Sequence, residues 1–131
     1  MLQRPVAIDL TVCEQLTVEE KTHNITLVNC FGRLKVRQVP TGPVRMVIYA
    51  RLTDGLVDGK ITVKVLHPNT LEELLSEDKS ATFSHPFQEF NAIFRQSLSF
   101  PVEGRFQIQL LADGDTIAQR TLEVSVLKEM S

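Results

Sequence analysis

The chain has 131 residues, which is enough for one domain with a hydrophobic core of its own. Hydrophobic residues make up 43% of the sequence, a share that argues against an intrinsically disordered chain. The formal net charge is −2, so the protein lacks the general positive charge that holds a nucleic acid.

Strand-like alternation begins near the N-terminus, where apolar Val6, Ile8, Leu10 and Val12 share one parity. Residues 25–39 follow, and their first half is apolar on both parities. This pattern predicts a central strand covered on both faces, or a strand with a bulge that switches faces. Prolines at positions 40 and 43 end it, because proline removes ladder donors.

Two further alternating runs, Val44–Leu52 and Ile61–Val65, predict strands in the middle of the chain. Residues 69–75 carry a helix-capping pattern but are too few for a stable helix, so we predict a single turn or a loop leading into an edge strand. Strands at Ala81–Phe83 and Phe90–Phe100 come next, separated by a break at His85-Pro86.

The last two alternating runs surround Asp113-Gly114. An Asp-Gly step between alternating strands predicts a tight hairpin turn. A calcium loop is the weaker interpretation of Asp113 and Asp115, because the further oxygen ligands are missing. Ile117 has the opposite parity to Leu122, so either Ile117 lies outside the paired region or an extra residue between Ala118 and Arg120 forms a bulge.

Residues that could carry chemistry are few and poorly spaced. The histidines at positions 23, 67 and 85 and the cysteines at 13 and 30 have none of the spacings that zinc sites use. No serine or cysteine nucleophile motif and no glycine-rich phosphate loop is present. We therefore predict no catalytic residues, no metal and no cofactor.

Cys13 and Cys30 each lie in a strand-like stretch. A disulfide across a sandwich is one interpretation, and a pair of free, partly buried thiols is the other. The N-terminal residues lack the apolar core of a signal peptide, and the longest apolar runs are far too short to cross a membrane. We therefore predict a cytoplasmic protein with no membrane contact, and free thiols.

Two features are candidates for contact with a partner. Arg33, Lys35 and Arg37 alternate with apolar residues, as the solvated face of a strand does, and such a small patch favours that interpretation over a nucleic-acid contact. The second feature is Phe87, the loop member of the aromatic cluster Phe83, Phe87, Phe90, Phe94 and Phe100. Its ring would cap the open end of the core or anchor a partner.

Residues 100–114, with the sequence FPVEGRFQIQLLADG, resemble the closing hairpin of a widespread family of uncharacterised bacterial β-sandwich domains. Residues 24–31, with the sequence NITLVNCF, resemble an early strand of that family, although Asn29 replaces a usual glycine. The resemblance implies an immunoglobulin-like sandwich in a bacterial cytoplasm with no established activity and no catalytic residues to transfer.

The fold that we predict is a single all-β domain over residues 1–131, an antiparallel immunoglobulin-like sandwich of about seven or eight strands. For function, we predict a non-enzymatic interaction or structural module. It would bind a protein, or a second copy of itself, through a loop end or a sheet edge. The alternative is a small-molecule or carbohydrate-binding accessory domain, and a metal-dependent enzyme ranks last.

Overall fold

The computed structural model describes residues 5–53, 55, 59–85 and 88–128. Within these ranges the fold is all-β, as the alternating sequence predicts, and it contains nine strands in two sheets. The strands are β1 (Val6–Val18), β2 (Ile25–Cys30), β3 (Arg33–Val36), β4 (Val44–Thr53), β5 (Gly59–Leu66), β6 (Glu73–Ala81), β7 (Phe90–Leu98), β8 (Gly104–Ala112) and β9 (Asp115–Val126).

One sheet has four strands in the order β2-β1-β4-β7, and the other has five in the order β3-β9-β8-β5-β6. All neighbours are antiparallel except β3 and β9, which run parallel. The predicted antiparallel pairing is therefore confirmed for every neighbouring pair except β3 and β9, and the described residues form nine strands where about seven or eight were predicted.

The stretch from Ile25 to Val39 explains this difference. Instead of one central strand, it forms two edge strands, β2 in the four-stranded sheet and β3 in the five-stranded sheet. Asn29 has a positive φ of 54°, and the chain then crosses between the sheets at Phe31-Gly32. Phe31 donates its backbone N–H to Val12 in one sheet, while Gly32 accepts from Glu123 in the other. The apolar residues on both parities thus serve two different sheets.

The main core lies between the sheets. Its largest buried side chains include Phe94, Phe100 and Phe106. The rings of Phe100 and Phe106 pack edge to face, with their centres 5.0 Å apart. Phe83 is also buried and Phe90 is half-buried against the same core. The aromatic cluster therefore fills the core as predicted, apart from Phe87, which lies outside the described residues.

The closing hairpin has the turn that the sequence predicts. Asp113 and Gly114 have φ angles of 48° and 89°, and two positive values in succession are the mark of the tight turn favoured between twisted strands. A bulge follows, because Leu110 lies opposite Ala118 whereas Leu111 lies opposite Thr116. The extra residue is Ile117, just before the predicted interval, and it packs against the core together with Ala118.

The break at the two prolines agrees with the sequence, whereas the strand predicted at Ala81–Phe83 has only Ala81 in it, as the last residue of β6. β3 ends at Val36 and β4 begins at Val44, on either side of the two prolines. A turn at residues 68–70 leads into the edge strand β6, as the short capping segment predicts. In the described part of the chain, no helix has the length and hydropathy needed to cross a membrane.

Candidate functional site

The outer face of the four-stranded sheet carries a second hydrophobic cluster. β1 pairs with β4 from Val6 to Cys13 and then with β2 from Cys13 to Val18. Beyond Cys13 the β1–β2 hairpin lies against the outer face of β4 and β7, where the Leu16 carbonyl accepts a hydrogen bond from Arg95 Nη2 at 3.4 Å. The cluster consists of buried Cys13, Leu16, Val47 and Tyr49 with partly buried Ile25, Leu27 and Ile93.

A polar network adjoins this cluster. The Tyr49 hydroxyl donates to Asn91 Oδ1 at 2.6 Å, and Arg51 pairs with Asp9 at 3.0 Å and with Glu89 at 4.0 Å. Burial raises the pKa of Tyr49 above its usual value and outweighs the opposing effect of Arg51. Because the phenol keeps its proton, it acts at neutral pH as a donor and not as a base.

The network lines a cleft of about 420 Å³, formed by His23, Asn24, Ile25, Tyr49, Arg51, Glu89 and Asn91. Arg51 Nε is buried there without an acceptor among the described residues. An uncompensated donor of this kind favours an acceptor from solvent or from a ligand.

Two more clefts lie on either side of Glu14 and Arg45, where β1 leaves β4. One, of about 410 Å³, is lined by residues 14–17, 45–47 and 95–97 and presents the side chains of Arg45 and Arg95. The other, of about 460 Å³, is lined by Glu14, Asn29, Cys30, Phe31, Arg33, Leu34, Val44 and Arg45. Both fall within the range of volumes typical of small-molecule sites.

The basic residues singled out in the sequence line the edge of the other sheet. Arg33 and Lys35 are exposed on β3, while Leu34 and Val36 between them pack against the core. Arg33 and Lys35 thus alternate with apolar residues on a strand as predicted, and exposed Arg37 lies just beyond the strand. Contact of these residues with a partner stays a prediction. Arg33 Nε forms an ion pair with the Glu123 carboxylate at 3.4 Å. Arg33 also lines the cleft of about 460 Å³ described above.

Each of the two cysteines lies in a strand, as predicted, and both are free thiols in the structure. Cys13 is buried and Cys30 is exposed, and the register places them directly opposite each other.

The histidines and acids are dispersed. Among the described residues, no group of three or more His, Cys, Asp or Glu side chains is arranged to hold a metal ion. His67 Nδ1 accepts hydrogen bonds from the backbone of Asn69 and Thr70, so its imidazole shapes a loop. Asp113 accepts from the backbone N–H of Lys60, which gives that carboxylate a structural role as well.

Sequence reasoning missed the edge strand β2, with the sequence ITLVNC. The other strands at the ends of the two sheets all carry charge: β3 is RLKV, β6 is ELLSEDKSA and β7 is FNAIFRQSL. Of these four described edge strands, β2 alone has no charged residue. The available signal is six residues without charge, of which Ile25, Thr26 and Val28 have high β-propensity, but this signal is typical equally of a central strand.

Comparison with known proteins identifies the family. No curated protein matches the chain. The model of a family of unknown function, DUF6941, matches residues 8–125 and thus covers every strand at least in part. The expectation of an uncharacterised family is confirmed at this level, and the chain belongs to that family of unknown function, DUF6941.

Proposed function

We propose that this domain is a non-enzymatic protein-binding module that accepts an extended segment of a partner protein as an additional strand along β2. The observation that carries the proposal is the uncharged edge of β2, which lies at the end of the four-stranded sheet. An edge strand exposes a row of unpaired backbone groups, and charges on the edge are a common device against pairing with other chains. Without charges, β2 leaves that row accessible.

The hydrogen-bond pattern identifies the backbone groups that would bind. The Glu19 N–H donates to the Asn24 carbonyl oxygen at 2.8 Å. This hydrogen bond lies next to the pair Val18 and Ile25, so Val18 and Ile25 form a non-hydrogen-bonded pair. The pairing of Leu16 with Leu27 has the same character, because the pattern alternates along the ladder. The backbone N–H and C=O groups of Ile25 and Leu27 therefore point away from β1, toward the open edge.

The opposite side of the sandwich is protected. Strand β6 places Glu77 and Lys79 on the same parity as the core residue Ala81. Lys79 Nζ lies 5.4 Å from the centre of the Phe94 ring, and Glu77 accepts a hydrogen bond from Gln96. Inward-pointing charges on an edge strand disfavour strand addition, because an incoming chain would have to bury them.

The partner segment is characterised by its chemistry. The segment pairs with residues 25–28, so it needs about four residues in extended conformation. These residues should be uncharged, because no residue of β2 offers a countercharge. Exposed Val28 on β2 and exposed Val18 on β1 lie on opposite faces of this strand pair, because Val28 is opposite Gln15 and Val18 is opposite Ile25. Each face therefore offers one apolar contact to the side chains of the added segment. A second copy of this chain meets the same requirements and is one occupant that the experiment tests.

The experiment compares wild-type protein with Thr26→Lys, which adds a charge to the open edge. The matched control is Thr121→Lys, an exposed threonine on β9 away from β2. Complexes are captured from the source organism and mapped by cross-linking mass spectrometry, and the molecular mass of the purified protein is measured over a range of concentrations.

We expect Thr26→Lys to abolish the complex or the self-association while Thr121→Lys retains it, with cross-links at residues 25–28. Equal complex formation by Thr26→Lys and wild-type protein, or cross-links confined to other surfaces, would contradict strand addition at β2.

We also propose that the domain is an immunoglobulin-like sandwich of bacterial origin that works in the cytoplasm. The pairing of β4 with β7, and of β5 with β8 and β8 with β9, supports the first part, because it parallels the B–E and C–F–G pairings of immunoglobulin domains. The resemblance of residues 100–114 to the closing hairpin of bacterial domains supports the second part.

A second candidate function is the binding of a small anionic ligand. It is favoured by the cleft of about 410 Å³ that presents Arg45 and Arg95 beside apolar Leu16, Met46 and Val47. Guanidinium groups recognise carboxylates and phosphates by paired hydrogen bonds. Thermal stabilisation by a library of carboxylates and phosphates, lost in Arg45→Gln, would support this function, and the absence of any stabilising anion would contradict it.

A further inference from the structure

The two cysteines form a cross-strand pair with geometry suited to a disulfide. Cys13 and Cys30 are register partners, and the Phe31 N–H donates to Val12 at 2.9 Å just outside them. A bond in that position makes the cysteines a non-hydrogen-bonded pair, and the alternation seen at residues 25–28 changes phase before it, because the register skips Glu14 and Asn29, where φ is 54°. In a non-hydrogen-bonded pair the two Cα atoms are typically about 4.5 Å apart and the side chains leave the same face. A disulfide spans Cα separations of about 4.4–6.8 Å, and the typical separation in such a pair falls within that range.

The two thiols differ in accessibility. Cys13 is fully buried among Leu16, Val47 and Tyr49, whereas Cys30 is exposed at the end of β2. Burial raises the pKa of the Cys13 thiol, and the neighbouring Cys30 raises it further. A reagent in solution therefore meets Cys30 first, and Cys13 can react only with a sulfur that is already beside it.

The surroundings of Cys30 indicate the class of reagent. Cys30 lines the cleft of about 460 Å³, which has apolar walls at Phe31, Leu34 and Val44. Arg33 and Arg45 provide two positive charges at the cleft. The Arg33 guanidinium also contacts Glu123, and the Glu14 carboxylate is hydrogen-bonded to Asn29 Nδ2 at 2.8 Å. Two guanidinium groups favour a small thiol compound that carries carboxylates.

We propose that Cys30 is a thiol-modification site for a small anionic disulfide and that Cys13 resolves the adduct. The Cys30 thiolate attacks one sulfur of the disulfide, forms a mixed disulfide and releases one thiolate of the reagent. The Cys13 sulfur, losing its proton to solvent, then attacks the Cys30 sulfur and releases the second thiolate. The protein loses two hydrogen atoms and two electrons, and the disulfide reagent is reduced to two thiols.

The test uses oxidised glutathione, a disulfide with several carboxylates, and reads the intact mass of the full chain. In wild-type protein we expect the mass to fall by two hydrogen atoms with no retained glutathione. In Cys13→Ala, which keeps a small apolar side chain in the cluster, we expect one stable glutathione adduct on Cys30. In Cys30→Ala we expect modification at least about tenfold slower than in Cys13→Ala, because the remaining thiol is buried.

The control for ligand class is bis(2-hydroxyethyl) disulfide, which has no charge. In Cys13→Ala we expect glutathione disulfide to react faster than this neutral reagent, and the ratio of rates to fall several-fold when Arg45→Gln is added. A wild-type protein that stays reduced or keeps a glutathione adduct would overturn the resolving pair. Equal rates with both reagents would overturn the anionic selectivity. Denaturant midpoints of all variants verify that they are folded.

Discussion

Asp113 and Lys60 exchange two hydrogen bonds between the closing hairpin and β5. The Asp113 N–H donates to the Lys60 carbonyl at 2.8 Å, and the Lys60 N–H donates to Asp113 Oδ1 at 2.9 Å. The Asp113 carboxylate, which in the sequence suggests a metal site, thus closes a hydrogen-bonded ring between β5 and the β8–β9 turn. Its contribution is to the alignment of three strands.

We predict that Asp113→Ala lowers the free energy of unfolding by about 1–2 kcal/mol, because the side-chain acceptor is lost and alanine tolerates the positive φ poorly. Asp113→Asn is the matched control, since asparagine keeps an acceptor oxygen and adopts that φ readily. Urea denaturation measures both variants. An equal loss in both variants would show that the negative charge, and not the hydrogen bond, is what stabilises the turn.

Gly114 gives a second prediction about the same turn. Its φ is 89°, and a Cβ added there would meet no atom within 4 Å. Gly114→Val should therefore destabilise the protein by about 1–3 kcal/mol through backbone strain alone. Gly42→Val is the control, because a Cβ there also meets nothing within 4 Å and the backbone has no positive φ. Similar denaturant midpoints for the two variants would contradict this explanation.

A third prediction concerns pH. Burial raises the pKa of Tyr49 in the folded state, so its contribution to stability is fully present below the unfolded pKa of about 10 and is lost as the pH rises through the folded pKa. Tyr49→Phe should lower the free energy of unfolding at neutral pH by about 1 kcal/mol, because the hydrogen bond to Asn91 is lost.

The same substitution should make stability fall less steeply as the pH rises above the unfolded pKa of about 10. Unfolding free energies of both proteins across that range provide the measurement. Parallel curves for wild-type protein and Tyr49→Phe would mean that the alkaline loss comes from lysines and other groups.

Strand positions and the final turn could be predicted from the sequence because their signals are local. Alternation places β4, β5 and β8, and the Asp113-Gly114 step identifies the turn between β8 and β9. The sheet to which a strand belongs is not a local property. For this reason the division of residues 25–36 into β2 and β3, and the parallel pairing of β3 with β9, do not follow from the pattern.

The candidate site depends even more on distant contacts. Tyr49 and Asn91 are 42 residues apart, and the Cys13–Cys30 register follows from the β1–β2 pairing. The sequence places these cysteines in strands without indicating that they are opposite each other. Likewise, residues 25–30 have apolar side chains at both odd and even positions, which predicts a strand covered on both faces. In the structure this segment is β2, an open edge of the four-stranded sheet.

The most direct measurement for the account is residue-resolved hydrogen exchange of the β2 amides, in the isolated domain and in its native complex. We predict that the Ile25 and Leu27 amides, which point toward the open edge, exchange rapidly in the isolated domain and become protected in the complex. The Thr26 and Val28 amides, which face β1, should be protected in both states. Rapid exchange of Ile25 and Leu27 that persists in the complex would contradict strand addition along β2.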